Sequence, residues 1–133
     1  MRQFVKKLLA KVRLVLCCDV PAKFRKDSRI QFNHCVGIVV SKKTVFKGEA
    51  HIWQNVTIGG VGGKYPTIGN NVFLMSNCCV IGHVTIGDNV IVGAGSVVTK
   101  SLPANCIAVG IPAKVVRSDV TLEDITLAVW GRR

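Results

Sequence analysis

Every sixth residue from Val40 is apolar and medium to large: Val40, Phe46, Ile52 and Ile58, then, after a slip of four, Ile68, Leu74, Val80, Ile86, Val92 and Val98. Four places after most of these stands a small or branched residue, at Thr44, Ala50, Val56, Val72, Cys78, Val84, Val90 and Ser96, and Gly59, Gly69, Gly87 and Gly93 follow them directly. A helix cannot keep a six-residue repeat on one face, and simple strand alternation does not call for the glycines. Short strands joined by tight turns account for both. Each hexad then supplies one flat wall with its large residue inward and its glycine in a backbone conformation closed to residues with a β-carbon. Stacking such coils buries a continuous core that no single coil could.

Two segments fall outside the repeat. Within a basic helical segment at 1–19, residues 2–16 place Phe4, Val5, Leu8, Leu9, Val12, Val15 and Leu16 at helical spacing, with Arg2, Lys6, Lys7, Lys11 and Arg13 between them. Such a helix either packs on the repeat or a neighbouring subunit, or makes a peripheral contact with anionic membrane at its inner face. In the tail, 118–133, Thr121-Leu-Glu-Asp124 reads as a capping-box start to a short helix ending before Gly131.

Composition narrows the classes. Across 133 residues, 49% apolar and 19% charged content excludes a disordered chain, and no run of eighteen apolar residues occurs to span a bilayer as a helix. Lys and Arg number 18 against 7 acidic residues, which favours anionic partners, and nine of the basic residues lie within 1–29. Aromatics are only 6%, with no base-stacking or groove-reading motif, so no nucleic-acid partner is expected. The six cysteines include the adjacent pairs Cys17-Cys18 and Cys78-Cys79 but no C-x-x-C, while Lys11 and Arg13 interrupt any apolar leader. They read as small buried hydrophobes of a reduced, cytoplasmic chain, with no metal expected.

The slip between Ile58 and Ile68 inserts Gly59-Gly60-Val61-Gly62-Gly63-Lys64-Tyr65-Pro66, an outward flap at 59–67 over a cleft. It lacks the pattern of a phosphate-binding P-loop.

Asn33-His34-Cys35-Val36-Gly37-Ile38-Val39-Val40, with Gln54-Asn55-Val56-Thr57-Ile58-Gly59-Gly60 downstream, resembles the serine acetyltransferase branch of the hexapeptide-repeat acyltransferases, including its relatives in capsule and lipopolysaccharide assembly. Val92-Gly-Ala-Gly-Ser-Val-Val-Thr-Lys100 and Ala108-Val-Gly-Ile-Pro-Ala-Lys-Val-Val-Arg117 resemble that family's closing coil and exit segment, so the likeness covers residues 20–117. It implies an all-β fold, a left-handed parallel β-helix with short terminal helices. Three hexads per triangular coil would stack residues eighteen apart, and the family implies a homotrimer whose base in one subunit faces coenzyme held partly by the next.

By the same resemblance His34 is the general base. Attack of a hydroxyl on a thioester is slow unless imidazole takes its proton. The count of six back from Val40 also lands on His34, so an interior histidine is the competing reading. Cys35 cannot form a dyad with His34 if both lie on extended backbone, where neighbours point to opposite sides, so direct transfer is expected. His51 and His83 read as solvent-facing or subunit-contact residues. The family carries Asp where Asn33 stands, and His where Tyr65 stands, with Lys64 and Asn55 also among the flap and substrate positions. Acetyl-CoA is the implied co-substrate, on Ser76, Ala94, Thr99, Lys100, Lys114 and Arg117, with the basic residues toward its phosphates.

The two departures, together with the lack of the family's helical domain in this chain, point to acetylation of a sugar hydroxyl in surface polysaccharide. A serine O-acetyltransferase is the alternative. A non-catalytic scaffold or a metal protein like the γ-carbonic anhydrases are the others, the last lacking a recognisable spacing among His34, His51 and His83.

Overall fold

The computed structural model describes residues 1, 3–5, 7–8 and 17–131. The expected N-terminal amphipathic helix and its membrane contact lie largely outside the described residues. From Asp19 onward the chain winds as a parallel β-solenoid. One face holds β1 (Ile30–Phe32), β4 (Ala50–Ile52), β7 (Val72–Leu74), β10 (Val90–Val92), β12 (Cys106–Gly110) and β13 (Ala113–Arg117). A second holds β2 (Val39–Val40), β5 (Thr57–Gly59), β8 (Cys79–Ile81) and β11 (Val97–Val98), and the third β3 (Val45–Phe46), β6 (Thr67–Ile68) and β9 (Thr85–Ile86). All pairings are parallel except the closing β12–β13 hairpin, which is antiparallel.

The register shows the coil. Val39 pairs with Thr57, Thr67 with Thr85 and Val72 with Val90, each eighteen residues on. Pairs that enclose the flap, such as Ala50 with Val72, are longer by the four inserted residues. The first coil is longer by two, Ile30 pairing with Ala50. Of the ten repeat positions, nine are at most 3% exposed and Phe46 is half-buried against the same core. Burial of a Val, Leu or Ile side chain contributes roughly 1.5–3 kcal/mol, so this column is the main stabilising term. A four-residue helix, α1 (Ala22–Arg25), seats Phe24 on the Phe46 ring at 5.1 Å and closes the first coil.

The corners differ from the sequence expectation. Left-handed backbone at the corners falls on other glycines, Gly37, Gly82 and Gly95, and on asparagine, whose short polar side chain tolerates it. Asn71, Asn89 and Asn105, at φ 55, 55 and 57, stack on one edge, with Asn71 Nδ2 donating to Asn89 Oδ1 at 3.0 Å and Asn89 Nδ2 to Asn105 Oδ1 at 2.8 Å. Gly59, Gly69, Gly87 and Gly93 are absent from the positive-φ set, so the expected conformational reason for them is wrong. Three of them, Gly69, Gly87 and Gly93, are required by close stacking. A β-carbon on Gly87 would sit 2.5 Å from the Ala104 backbone nitrogen, and one on Gly93 2.6 Å from Val109 Cγ1.

Helix α2 (Leu122–Trp130) covers the outer side of the first face. It starts in the expected capping box: Asp124 N donates to Thr121 Oγ1 at 3.2 Å and Thr121 N to Asp124 Oδ2 at 2.9 Å. Hydrogen bonds from the Thr121 backbone and side chain, with Arg117 at 2.7 Å, hold the Asp124 carboxyl below the usual carboxylate range. Ile125 and Val120 pack there on Phe73 and Ile91. No helix among the described residues is long and apolar enough to cross a membrane.

Candidate active site

The three prism edges carry different chemistry. Between the first and second faces the corner residues stack in a backbone ladder: Asn55 N donates to Val36 O at 2.8 Å, Asn77 N to Gln54 O at 3.0 Å and Gly95 N to Ser76 O at 2.9 Å. Val36, Gln54, Ser76 and Ala94 are thus successive rungs of one edge. His34 is on it too, inside the two-residue enlargement of the first coil. That enlargement answers the interior reading, since counting by six fails here: Phe32, in register with Ile52, packs against the core in the inward place, and His34 is left exposed.

Local geometry presents the imidazole. His34 has φ 55, and Val36 N closes a tight turn onto His34 O at 2.7 Å. Its neighbour Asn33 continues the ladder by donating from N to Ile52 O at 2.7 Å. The Asn33 Nδ2 atom is buried without a hydrogen-bond partner, and no hydrogen bond joins Asn33 to His34 among the described residues. Gln54 Oε1, on the next coil, is buried and unpartnered as well.

The premise used against a Cys35–His34 dyad, extended backbone, does not hold, because His34 is left-handed. Cys35 is unsuited for another reason. Its thiol donates to Phe32 O at 3.4 Å, and burial, with Cys18 nearby, pushes its pKa up, away from thiolate. Burial drives Cys78 further, up to about 12. All six cysteines are free, three of them buried.

Small residues line the upper part of this edge. Ser76 is half-buried and Ala94 exposed, directly stacked as their eighteen-residue separation requires. Such side chains leave room for a slender chain to lie against the backbone. Asn55 also belongs here, at φ 57, closing the corner over Gly37, where a β-carbon would collide with its carboxamide.

The flap lies on a different edge, between the second and third faces. Val61 and Lys64 exchange backbone hydrogen bonds at 3.0 and 3.1 Å across Gly62 and Gly63, at φ 59 and 76. Two consecutive left-handed residues are what a tight two-residue hairpin turn needs, which explains the Gly-Gly pair. Tyr65 lies half-buried over Gly60, and Lys43 Nζ stands 5.2 Å from its ring centroid. Thr99 and Lys100 are exposed on this edge two coils further on. A cleft of about 410 Å3 runs over the second face from Asp19 and Pro21 to the flap base at Gly59. Lys114 and Arg117 project from β13, Arg117 already paired with Asp124 at 2.7 Å.

One chain therefore unites His34, Asn33, Asn55, Ser76 and Ala94 on one edge, and Lys64, Tyr65, Thr99 and Lys100 on another. His83 is exposed as expected, but His51 is not. At 9% exposure it lies beneath α2, stacked on Phe73 at 4.5 Å and 6°, with Trp130 edge-on at 6.0 Å. Nothing near His51 in the sequence signals this, because the covering helix follows some seventy residues later. No group of three or more His, Cys, Asp or Glu suited to a metal occurs among the described residues.

Residues 65–100 match the bacterial transferase hexapeptide family model, described as six repeats. The serine acetyltransferase of Synechococcus elongatus is 36% identical over 118 residues, covering 85% of this chain and 48% of the relative. Among solved structures, the Neisseria gonorrhoeae serine acetyltransferase in complex with serine superposes with a TM-score of 0.63 at 35% identity, over 67% of this chain and 38% of that one. A serine acetyltransferase in complex with CoA gives 0.63 at 34%, over 65% and 37%. The chain spans about half the length of the relatives it matches. These likenesses overturn the expected sugar acceptor in surface polysaccharide. That expectation rested on two altered positions, Asn33 and Tyr65, and on the lack of the helical domain, whereas the similarity to serine acetyltransferases extends over most of the chain.

Proposed function

We propose, from its likeness to the hexapeptide-repeat transferases and to serine acetyltransferases among them, that the chain moves the acetyl group of acetyl-CoA to the hydroxyl of L-serine. The observation that carries this reading is the shared edge of His34, Ser76 and Ala94, which pairs an exposed imidazole with a track of small residues. In this reading the pantetheine arm follows that track. Lys100 and Lys114 meet the nucleotide phosphates, as charge-assisted donors with Thr99 beside them. Arg117 joins them by giving up its exposed pair with Asp124, an exchange of little cost for a surface ion pair.

His34 takes the proton from the serine hydroxyl as its oxygen attacks the thioester carbonyl, and a backbone N–H stabilises the oxyanion. The carbon–sulfur bond then breaks, and the imidazolium returns the proton to the leaving sulfur. Asn33 can orient imidazole but lacks the charge to stabilise imidazolium as a carboxylate would. Because the base and the flap lie on different edges, a second copy supplies what one chain separates. A threefold assembly, setting the His34 edge of one protomer against the flap edge of the next, is the arrangement we propose.

The test is direct. The purified chain with acetyl-CoA and L-serine should release CoA thiol and form O-acetylserine. His34→Ala should lower turnover by on the order of a hundred- to ten-thousandfold while coenzyme binding survives. Unchanged turnover in that variant refutes the assignment of the base.

A further inference from the structure

The chain's two tryptophans, Trp53 and Trp130, both stand beside His51, at 6.4 and 6.0 Å between ring centroids. Alternation along the first face turns Glu49 and His51 outward together, and the register sets Phe73 next to His51. Helix α2 crosses this side with Leu122, Ile125 and Trp130. Ile125 is seated on Phe73, yet Leu122 and Trp130 stay 61% and 49% exposed. Between α2 and the face lies a chamber of about 470 Å3, running from Glu49 and His51 to Trp130. Its size is that of a small-molecule site. It shares no lining residue with the His34 edge or the flap, so whatever it holds is separate from acetyl transfer.

The polar lining of this chamber is rich in acceptors. Asn71 Nδ2 already donates to Asn89 Oδ1 at 3.0 Å, and the Thr126 hydroxyl donates to Leu122 O at 2.8 Å. That leaves Asn71 Oδ1, the lone pairs of Thr126 Oγ1, the Glu49 carboxylate and His51 Nδ1, which is buried without a partner. Burial favours the neutral imidazole, whose proton can sit on Nε2 and leave Nδ1 an acceptor. Charge points the same way. In a chain of 18 basic and 7 acidic residues, the lining contains Glu49 and no Lys or Arg, and neither ion pair among the described residues includes Glu49. One carboxylate and one imidazole, with no third such group beside them among the described residues, are too few to hold a metal ion. We propose that this chamber binds a small organic cation, a primary ammonium on a short apolar stem. The ammonium spends its donors on Glu49 and His51 Nδ1, with the Trp130 ring adding cation–π attraction, while the stem lies on Leu122 and Ile125. Such a ligand ties α2 to the solenoid.

Because both tryptophans border the site, their emission reports on it directly. The full chain is titrated with isoamylamine and with isoamyl alcohol, which has the same stem and no charge, at about pH 8, where the amine is protonated and imidazole is neutral. The amine should change the emission saturably in the millimolar range, and the alcohol should not. Glu49→Gln, at an exposed position, should weaken the amine on the order of tenfold. His51→Phe keeps a ring on Phe73 but removes the acceptor, and should weaken it as well. Equal responses to amine and alcohol would reduce the chamber to an apolar groove and overturn the proposal. So would the absence of saturation by the amine, or unchanged affinity in either folded variant. If His51→Phe fails to fold, Glu49→Gln decides the matter alone.

Discussion

Replacing Gly87 by Ala tests why the repeat needs glycine. The added methyl would lie 2.5 Å from Ala104 N, 2.7 Å from its Cα and 2.8 Å from Pro103 C, all backbone of the next coil. No rotamer change can relieve this. The coils must separate locally, and overpacking of that kind costs typically about 1–3 kcal/mol. For a domain of this size that lowers the melting temperature by roughly 3–12 °C, taking about 3–4 °C per kcal/mol. Gly59 holds the same place in the repeat, but a methyl there would meet Ile81 Cδ1 at 3.5 Å, an ordinary contact. Gly59→Ala should therefore stay within about 0.5 kcal/mol of wild type. Thermal unfolding followed by circular dichroism, at one fixed protomer concentration, measures both. Comparable destabilisation of the two variants would refute close stacking as the reason and return the explanation to backbone conformation.

Other predictions concern the coenzyme track and the buried histidine. Ala94 is exposed and outside the core, so Ala94→Leu should fold with an unchanged melting temperature yet weaken coenzyme A binding on the order of tenfold, about 1.4 kcal/mol, by calorimetry. Unaltered affinity would remove the coenzyme from this edge. Burial holds the His51 imidazole below its ordinary 6.5, against a smaller upward pull from Glu49. The unfolded chain then takes up protons that the folded chain refuses, so this contribution is complete above pH 6.5 and is lost as pH falls toward the folded value. The melting temperature should decline from about pH 7 to about pH 5, and His51→Phe, which keeps a ring on Phe73, should lose most of that decline. The same decline in both proteins would show that other groups govern it.

The solenoid is written in the order of residues along the chain. Each coil poses the same burial problem, so the same residue type recurs at the same offset, and inward positions such as Ile52, Leu74 and Ile86 can be counted off without coordinates. The flap was legible because it interrupts that count, and its Gly-Gly pair because a tight turn has few solutions. His34 was found through a motif, while its exposure depended on a two-residue enlargement that register alone reveals. His51 looked like its neighbours on the strand until α2, distant in sequence, covered it. The glycines were located correctly and explained wrongly, since a clash between coils is invisible along one chain. Asn33 and Tyr65 point away from serine as acceptor, but two positions weigh less than similarity over most of the chain. Tertiary structure alone decided which residues share an edge: it takes the stacking of coils to place Lys64, Tyr65, Thr99 and Lys100 on one edge and His34, Ser76 and Ala94 on another.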